Sequence, residues 1–160
     1  MRTTDINLAS TSIARLLIGL SLDSFRVHSS ILLLGFYRPE ANDELPGEVW
    51  ISCSGDVQII NPESNEHASD KLDADFFVRR ASILGKIYHL IGATIHGAGI
   101  DPAGALTISL QAGSIRFERD DSSFEEVWTV MSDSTDVSDA HCWYIALEDS
   151  GEVGATIPDR

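Results

Sequence analysis

An α+β fold with mostly antiparallel strands is what this sequence predicts, built as two repeated helix-plus-β-meander units packed around a shared core. Three observations predict it. Leu17-Ile18-Gly19 recurs as Leu90-Ile91-Gly92, and Glu48-Val49-Trp50 recurs as Glu126-Val127-Trp128, in the same order; such self-similarity marks a repeated unit. Apolar and polar residues alternate in short runs bounded by Gly, Pro and Asp, the pattern of half-buried strands. Between the two copies, Phe76, Phe77, Ala81, Leu84, Tyr88 and Ile91 fall at three- and four-residue spacings, the apolar stripe of a helix. The chain has 160 residues, 43% of them apolar, enough to bury a core unaided. It reads as a single domain over 1–160, with repeats at 11–60 and 74–147 and a polar linker at 61–73.

In the first copy, Thr11 or Ser12 is expected to cap a short helix leading into the first Leu-Ile-Gly. LSLDSFRV, the turn HSS and ILLLGFY follow as two strands, and 49–53 with 57–60 read as a hairpin across Ser54-Gly55-Asp56. The joining helix has Asp73 as its expected N-cap and Asp75 in its first turn, where the helix dipole favours an acid. Gly85 either ends or weakens that helix. In the second copy, strands at 93–100 and 105–110 flank Asp101-Pro102-Ala103-Gly104, where proline presets a turn and Gly104 tolerates positive φ. Ala112-Gly113 supports a reversal into 114–118. Residues 125–131 supply a strand with Val127, Thr129 and Met131 on one face and Trp128 and Val130 on the other. A last strand covers 141–147, and the tail from 149 is expected to fray.

The apolar run at 13–22 is too short to span a bilayer and has no basic start or cleavage site, so the chain reads as cytosolic. Cys53 and Cys142 then read as buried reduced thiols.

The sequence offers little chemistry. It contains no GxGxxG, P-loop, HExxH, paired CxxC or GxSxG motif. His96, opening His96-Gly97-Ala98-Gly99, reads as a strand position beside a bulge rather than an oxyanion loop. The five histidines lack the close spacing of zinc ligands. Glu48 and Glu126 could form a duplicated carboxylate dyad, but read as two solvent-facing residues. No catalytic residue, metal or cofactor is predicted.

Charge is the signal that remains. Eleven Lys and Arg face 25 Asp and Glu, a net charge of -14, which repels nucleic acid and anionic membranes and attracts cationic partners. Glu118, Asp120, Asp121, Glu125, Glu126, Asp133, Asp136 and Asp139 crowd one stretch, with Arg119 its lone base and Phe124 an aromatic anchor among them. These nine residues, the eight acids and Phe124, are the expected partner-binding face. Acidic faces steer basic proteins, while desolvated aromatic anchors set tightness.

Small acidic proteins without catalytic motifs resemble the immunity proteins of bacterial contact-dependent growth inhibition and related polymorphic toxin systems. The segment LIGATIHGAGIDPAGALTISLQAGSIRFERDDSSFEEVWTV, about a quarter of the chain, is also similar to a small bacterial β-domain family. Phe124-Glu125-Glu126-Val127-Trp128 stands, with one extra residue, where that family has an aromatic-Glu-x-Trp-like segment. The resemblance implies neutralisation of a toxin, usually a basic nuclease, by tight stoichiometric binding. The alternative is a carrier with a small-ligand cavity between the sheets, lined by Trp50, Trp128 and Trp143; an enzyme ranks third. The oligomeric state is left open by the sequence.

Overall fold

The computed structural model describes residues 2–3, 5–40, 44–61, 75–119, 126–133, 142–148 and 150–158. The expected linker at 61–73 falls almost entirely outside them. The fold is mixed α+β, with two helices and mostly antiparallel sheets among the described residues.

Helix α1 (Ile6–Leu17) starts nearly two turns earlier than expected. Asp5 is its N-cap, accepting from the Asn7 and Leu8 amides at 2.7 and 3.4 Å. Thr11 and Ser12 lie inside the helix. The Thr11 hydroxyl donates to the Asn7 carbonyl at 2.8 Å, the way a mid-helix hydroxyl is satisfied. Ala9, Ile13, Leu16 and Leu17 are fully buried. Gly19, at φ +88°, takes the left-handed conformation beyond the helix end.

Ten further strands and a second helix follow among the described residues. They are β2 (Ser21–His28), β3 (Ile31–Tyr37), β4 (Glu48–Cys53), β5 (Val57–Ile60), α2 (Phe76–Tyr88), β6 (Ile95–Ile100), β7 (Leu106–Leu110), β8 (Gly113–Phe117), β9 (Glu126–Ser132), β10 (Tyr144–Glu148) and β11 (Val153–Thr156). With β1 (Arg2–Thr3), they form a seven-stranded sheet in the order β1-β11-β10-β9-β4-β3-β2 and a four-stranded sheet in the order β5-β8-β7-β6. The facing interiors share one apolar cluster. Leu32, Leu34, Phe36, Val49, Ile51, Trp128, Val130 and Ile145 enter it from the large sheet, and Leu106, Ile108, Ile115 and Phe117 from the small one. Each residue set recurs at every second position, so the period-two reading of these strands is met.

Backbone hydrogen bonds also join the two sheets along a seam. Gly19 N donates to Ile95 O, Ile95 N to Leu20 O, Leu22 N to Ala93 O, and Gly92 N to Leu22 O, all within 3.0 Å. Ser21 and Thr94 face each other in the middle, their hydroxyls hydrogen-bonded at 3.0 Å. Gly92, at φ +87°, follows the α2 end as Gly19 follows α1. The recurring Leu-Ile-Gly therefore marks two helix exits that meet. Both strands leaving the seam also shift register early, β2 between Leu22 and Ser24 and β6 between Ile95 and Gly97.

Several expectations are corrected. β4 and β5 are no hairpin: β4 pairs with β3 and β9, whereas β5 pairs with β8 in the other sheet. Ser54-Gly55-Asp56 carries the chain between layers, because both strands have apolar partners there that a two-stranded ribbon would not supply. Two strands separate the first Leu-Ile-Gly from its Glu-Val-Trp and three separate the second, so the landmarks do not fall on matching element counts. The N-cap of α2 is Asp75, whose carboxylate accepts from Phe77 N at 2.8 Å, and the helix runs through Gly85. Its expected stripe is covered only in part: Leu84 packs against the core, whereas Phe77 and Tyr88 are 63% and 65% exposed, and Arg80 and Ile87 are buried. The tail does not fray throughout, since β11 pairs with β10 on one side and β1 on the other.

Candidate functional site

The strand period that buries Leu32, Leu34 and Phe36 turns Leu33, Gly35 and Tyr37 to the other face of β3. Register then fixes their neighbours. Gly35 opposes Ser24 on β2 and Trp50 on β4, and Tyr37 opposes Glu48. The β2 register shift falls at Asp23, freeing that residue from the ladder and leaving it exposed beside the end of β3. Asp23, Ser24, Gly35, Phe36, Tyr37 and Glu48 thus surround a notch of about 270 Å³.

The missing side chain at Gly35 shapes the floor. A β-carbon there would stand 2.9 Å from a Trp50 ring carbon and 2.8 Å from Ser24 Oγ. The indole can therefore lie against bare backbone. Arg26 places its guanidinium carbon 4.6 Å from the Trp50 ring centroid, within cation–π range. Tyr37 is 54% exposed, and Asp23 and Glu48 are exposed at the rim. Among the described residues, no ion pair engages either carboxylate. Val49 opposes Ser132 at the last paired position, and Asp133, also exposed, follows just past that end of β9.

The nearby Arg38 is directed elsewhere. It donates to the Leu16, Ile18 and Pro46 carbonyls at 2.8, 3.3 and 3.4 Å, closing the end of α1. Burial lowers its pKa from the ordinary arginine value.

The corresponding outer face of the small sheet is arranged differently. Arg116 pairs with Asp101 at 2.6 Å and Glu118 at 2.7 Å, and donates to Thr107 Oγ1 at 3.3 Å. Partial burial acts to raise the Asp101 carboxyl. Hydrogen bonds from Arg116, Ala105 N and Ala103 N, with the Arg116 charge, outweigh it and hold the group below the usual aspartate range. These same acids lift Arg116 above its ordinary value, against a smaller effect of burial.

The expected binding residues divide. Glu118 is engaged by Arg116 near the start of β9, and Glu118 N donates to Asp56 O. Asp133 lies past the opposite end of β9, a strand length of roughly 20 Å away. Glu126 opens β9. Asp120, Asp121, Phe124, Glu125, Asp136 and Asp139 lie outside the described residues. Loops flanking one strand emerge at opposite ends of it, so Glu118 and Asp133 do not share a patch.

The other candidates resolve geometrically. Antiparallel β4 and β9 place Glu48 and Glu126 at opposite ends of the pair, so they form no dyad. The three tryptophans do not face one space: Trp128 and Trp143 are buried, Trp128 Nε1 donating to Gly104 O at 2.9 Å, while Trp50 points to the outer face. Arg15 of α1 covers Trp143, 5.5 Å from its ring centroid. His96 sits at the β6 register shift, its Nε2 3.2 Å from Leu110 O. Cys53 and Cys142 are buried thiols outside any disulfide. Among the described residues, no group of three or more His, Cys, Asp or Glu could hold a metal ion, and no helix is long and apolar enough to cross a membrane.

Sequence reasoning missed Asp23, Gly35 and Tyr37 as site residues. Gly35 carried the readable sign, since a lone glycine within an apolar strand marks a close approach to the backbone. The chain matches no family model, no curated protein and no solved structure.

Proposed function

We propose that this chain is an immunity-type inhibitor that neutralises a basic toxin, a nuclease by preference, through stoichiometric binding without turnover. The observation that carries this reading is the notch that Asp23, Tyr37 and Glu48 line at one end of the large sheet, with exposed Asp133 just past the same end of neighbouring β9. Open carboxylates draw a cationic protein in, and partly buried aromatics supply the contact area that holds it. Asp101 and Glu118 on the small sheet are closed on Arg116, whereas Asp23 and Glu48 on the large sheet have no ion pair among the described residues. The net charge of -14 favours the approach of a cationic partner. The two helix-plus-strand halves are, in this reading, copies of one ancestral unit. The reciprocal hydrogen bonds of Gly19 and Gly92 and the register shifts at Asp23 and His96 support that origin.

The test is binding to the product of the adjacent toxin gene, with Asp23, Glu48 and Asp133 changed together to Lys. Association should slow at low salt and lose most of its salt dependence. Unchanged association kinetics would remove the acidic end of the large sheet from the interface. Failure to bind or neutralise any adjacent gene product would overturn the immunity reading itself.

A further inference from the structure

We infer that the outer edge of β2 over residues 24–28 docks an extended segment of the basic partner, which adds to the large sheet as a further strand. This rests on the protein-binding reading above. The other sheet edges are closed among the described residues. β1 is two residues long, too short to template another strand. α1 packs along β6, where Ile100 N donates to Ser10 Oγ at 3.0 Å, and α2 packs against β5. β2 ends the large sheet, with β3 on one side. On its other side the 92–95 segment covers it only as far as Leu22.

Leu22 turns its N–H and C=O to that seam, bonding Ala93 O and Gly92 N. Inward and outward backbone groups alternate along an antiparallel strand, and the register shift between Leu22 and Ser24 adds one residue. The next groups turned outward are therefore those of Phe25 and Val27. Among the described residues, no backbone hydrogen bond reaches them from outside β3. An extended backbone satisfies such a row in register.

The side chains define what that backbone carries. Val27 is 44% exposed although its ladder partner Leu32 is fully buried, and Phe25, opposite buried Leu34, is only partly covered. Apolar residues opposite Phe25 and Val27 complete the sandwich there. Arg26 is drawn inward across β3, its guanidinium carbon 4.6 Å from the Trp50 ring centroid, so it does not guard the edge with charge. The charge at the closed end is exposed Asp23, which has no ion pair among the described residues and favours a Lys or Arg on the incoming segment. A second copy of this chain fits poorly. Each copy carries -14, and pairing Phe25 with Val27 of the copy sets Arg26 directly opposite Arg26, a destabilising like-charge pair.

The experiment titrates the full chain with the blocked peptide Thr-Val-Thr-Val-Thr-Lys to about 1 mM, following amide chemical shifts. Shifts should centre on residues 24–28, and the same peptide N-methylated at both valines should give none. Val27→Pro removes an outward N–H that the β2–β3 ladder does not use, a position where an edge strand tolerates proline. It should weaken the peptide about tenfold at an unchanged urea midpoint. Replacing the terminal Lys by Glu should weaken binding about threefold, and Asp23→Asn should erase that difference. No shift at 24–28, or equal binding of the N-methylated peptide, overturns the edge site, and the latter comparison holds even if Val27→Pro unfolds. A parent chain that is a dimer, made monomeric by Val27→Pro, assigns the edge to a second copy and also overturns it. If the adjacent toxin binds Val27→Pro as it binds the parent, the edge site falls and the immunity reading stands. If the peptide adds at β2 and no adjacent toxin is neutralised, the edge site stands and the immunity reading falls.

Discussion

Gly35 lies flat beneath Trp50: a β-carbon on the glycine would come within 2.9 Å of the indole. The β3 backbone at Gly35 is held by ladder pairs on both sides, to Ser24 and to Trp50, so the close approach is relieved only by the ring moving. Gly35→Ala should displace the indole and destabilise the chain by about 1–3 kcal/mol, the usual cost of overpacking a tight contact. Urea unfolding gives the stability, and a changed Trp emission in the folded variant reports the ring. A variant as stable as the parent, with unaltered emission, would show that the contact relaxes freely.

The Asp101 carboxylate ties down its own turn, accepting from Ala103 N at 2.9 Å, Ala105 N at 3.0 Å and Arg116 at 2.6 Å. Its pKa is held below the ordinary value. The folded state therefore binds this proton less readily than the unfolded chain. The resulting stabilisation is full above the unfolded aspartate value, about 3.9, and is lost as pH falls through the lower folded value. Asp101→Asn should flatten this part of the acid limb in urea midpoints measured from pH 6 to pH 2. At neutral pH it should cost about 0.5–1.5 kcal/mol for each hydrogen bond weakened. An acid limb identical to that of the parent would refute the assignment.

Arg80 is 5% exposed and donates to the Ser30 carbonyl at 3.2 Å and the Gly55 carbonyl at 2.9 Å. It thus pins α2 to the β2–β3 turn and to the crossing between sheets. Burial lowers its pKa, partly offset by Cys53 and Asp56. Arg80→Met keeps much of the side-chain volume but leaves two carbonyls without this donor. The expected loss is about 1–3 kcal/mol for each buried carbonyl left unsatisfied. Faster hydrogen exchange should appear along α2 and the 54–56 crossing before it appears in β3 or β9. Uniformly faster exchange would indicate that the clamp is not local.

Gly19 and Gly92 share the left-handed conformation, with φ of +88° and +87°. Gly19→Ala and Gly92→Ala should each cost about 1–2 kcal/mol from backbone strain alone. At Gly92 a β-carbon meets nothing within 4 Å, and at Gly19 only Arg38 Nη1 at 3.5 Å, so sterics should add little. Thermal unfolding of the two variants compares them directly. A much larger loss at Gly19 would mean that Arg38 cannot move aside.

The apolar alternation of Leu106-Ile108-Leu110 and the proline turn before it made the β6–β7 hairpin readable, because both its partners and its turn are local in sequence. The 49–53 and 57–60 segments were equally readable as strands, yet their pairing was not. Three intervening residues suit a tight hairpin, and only the partners supplied by β8 and β9 separate them into two sheets. The α2 stripe misled for a related reason: periodicity identifies an apolar face without saying whether the fold covers it. Among the site residues, Glu48 was weighed through its repeat partner Glu126, whereas Asp23 sat inside a run with no distinguishing pattern.

Composition and local pattern determined the α+β class, most strands, the absence of known catalytic motifs and the acidity, because each depends on residue type and short spacing. The tertiary structure decided which acids share a surface. Glu118 closes on Arg116, whereas Asp23 and Glu48 line one notch with Tyr37 at an end of the large sheet, and Asp133 follows just past that end of β9. Strand register and sheet order bring together residues over a hundred positions apart in the chain, and long-range pairing has no local period from which it could be read.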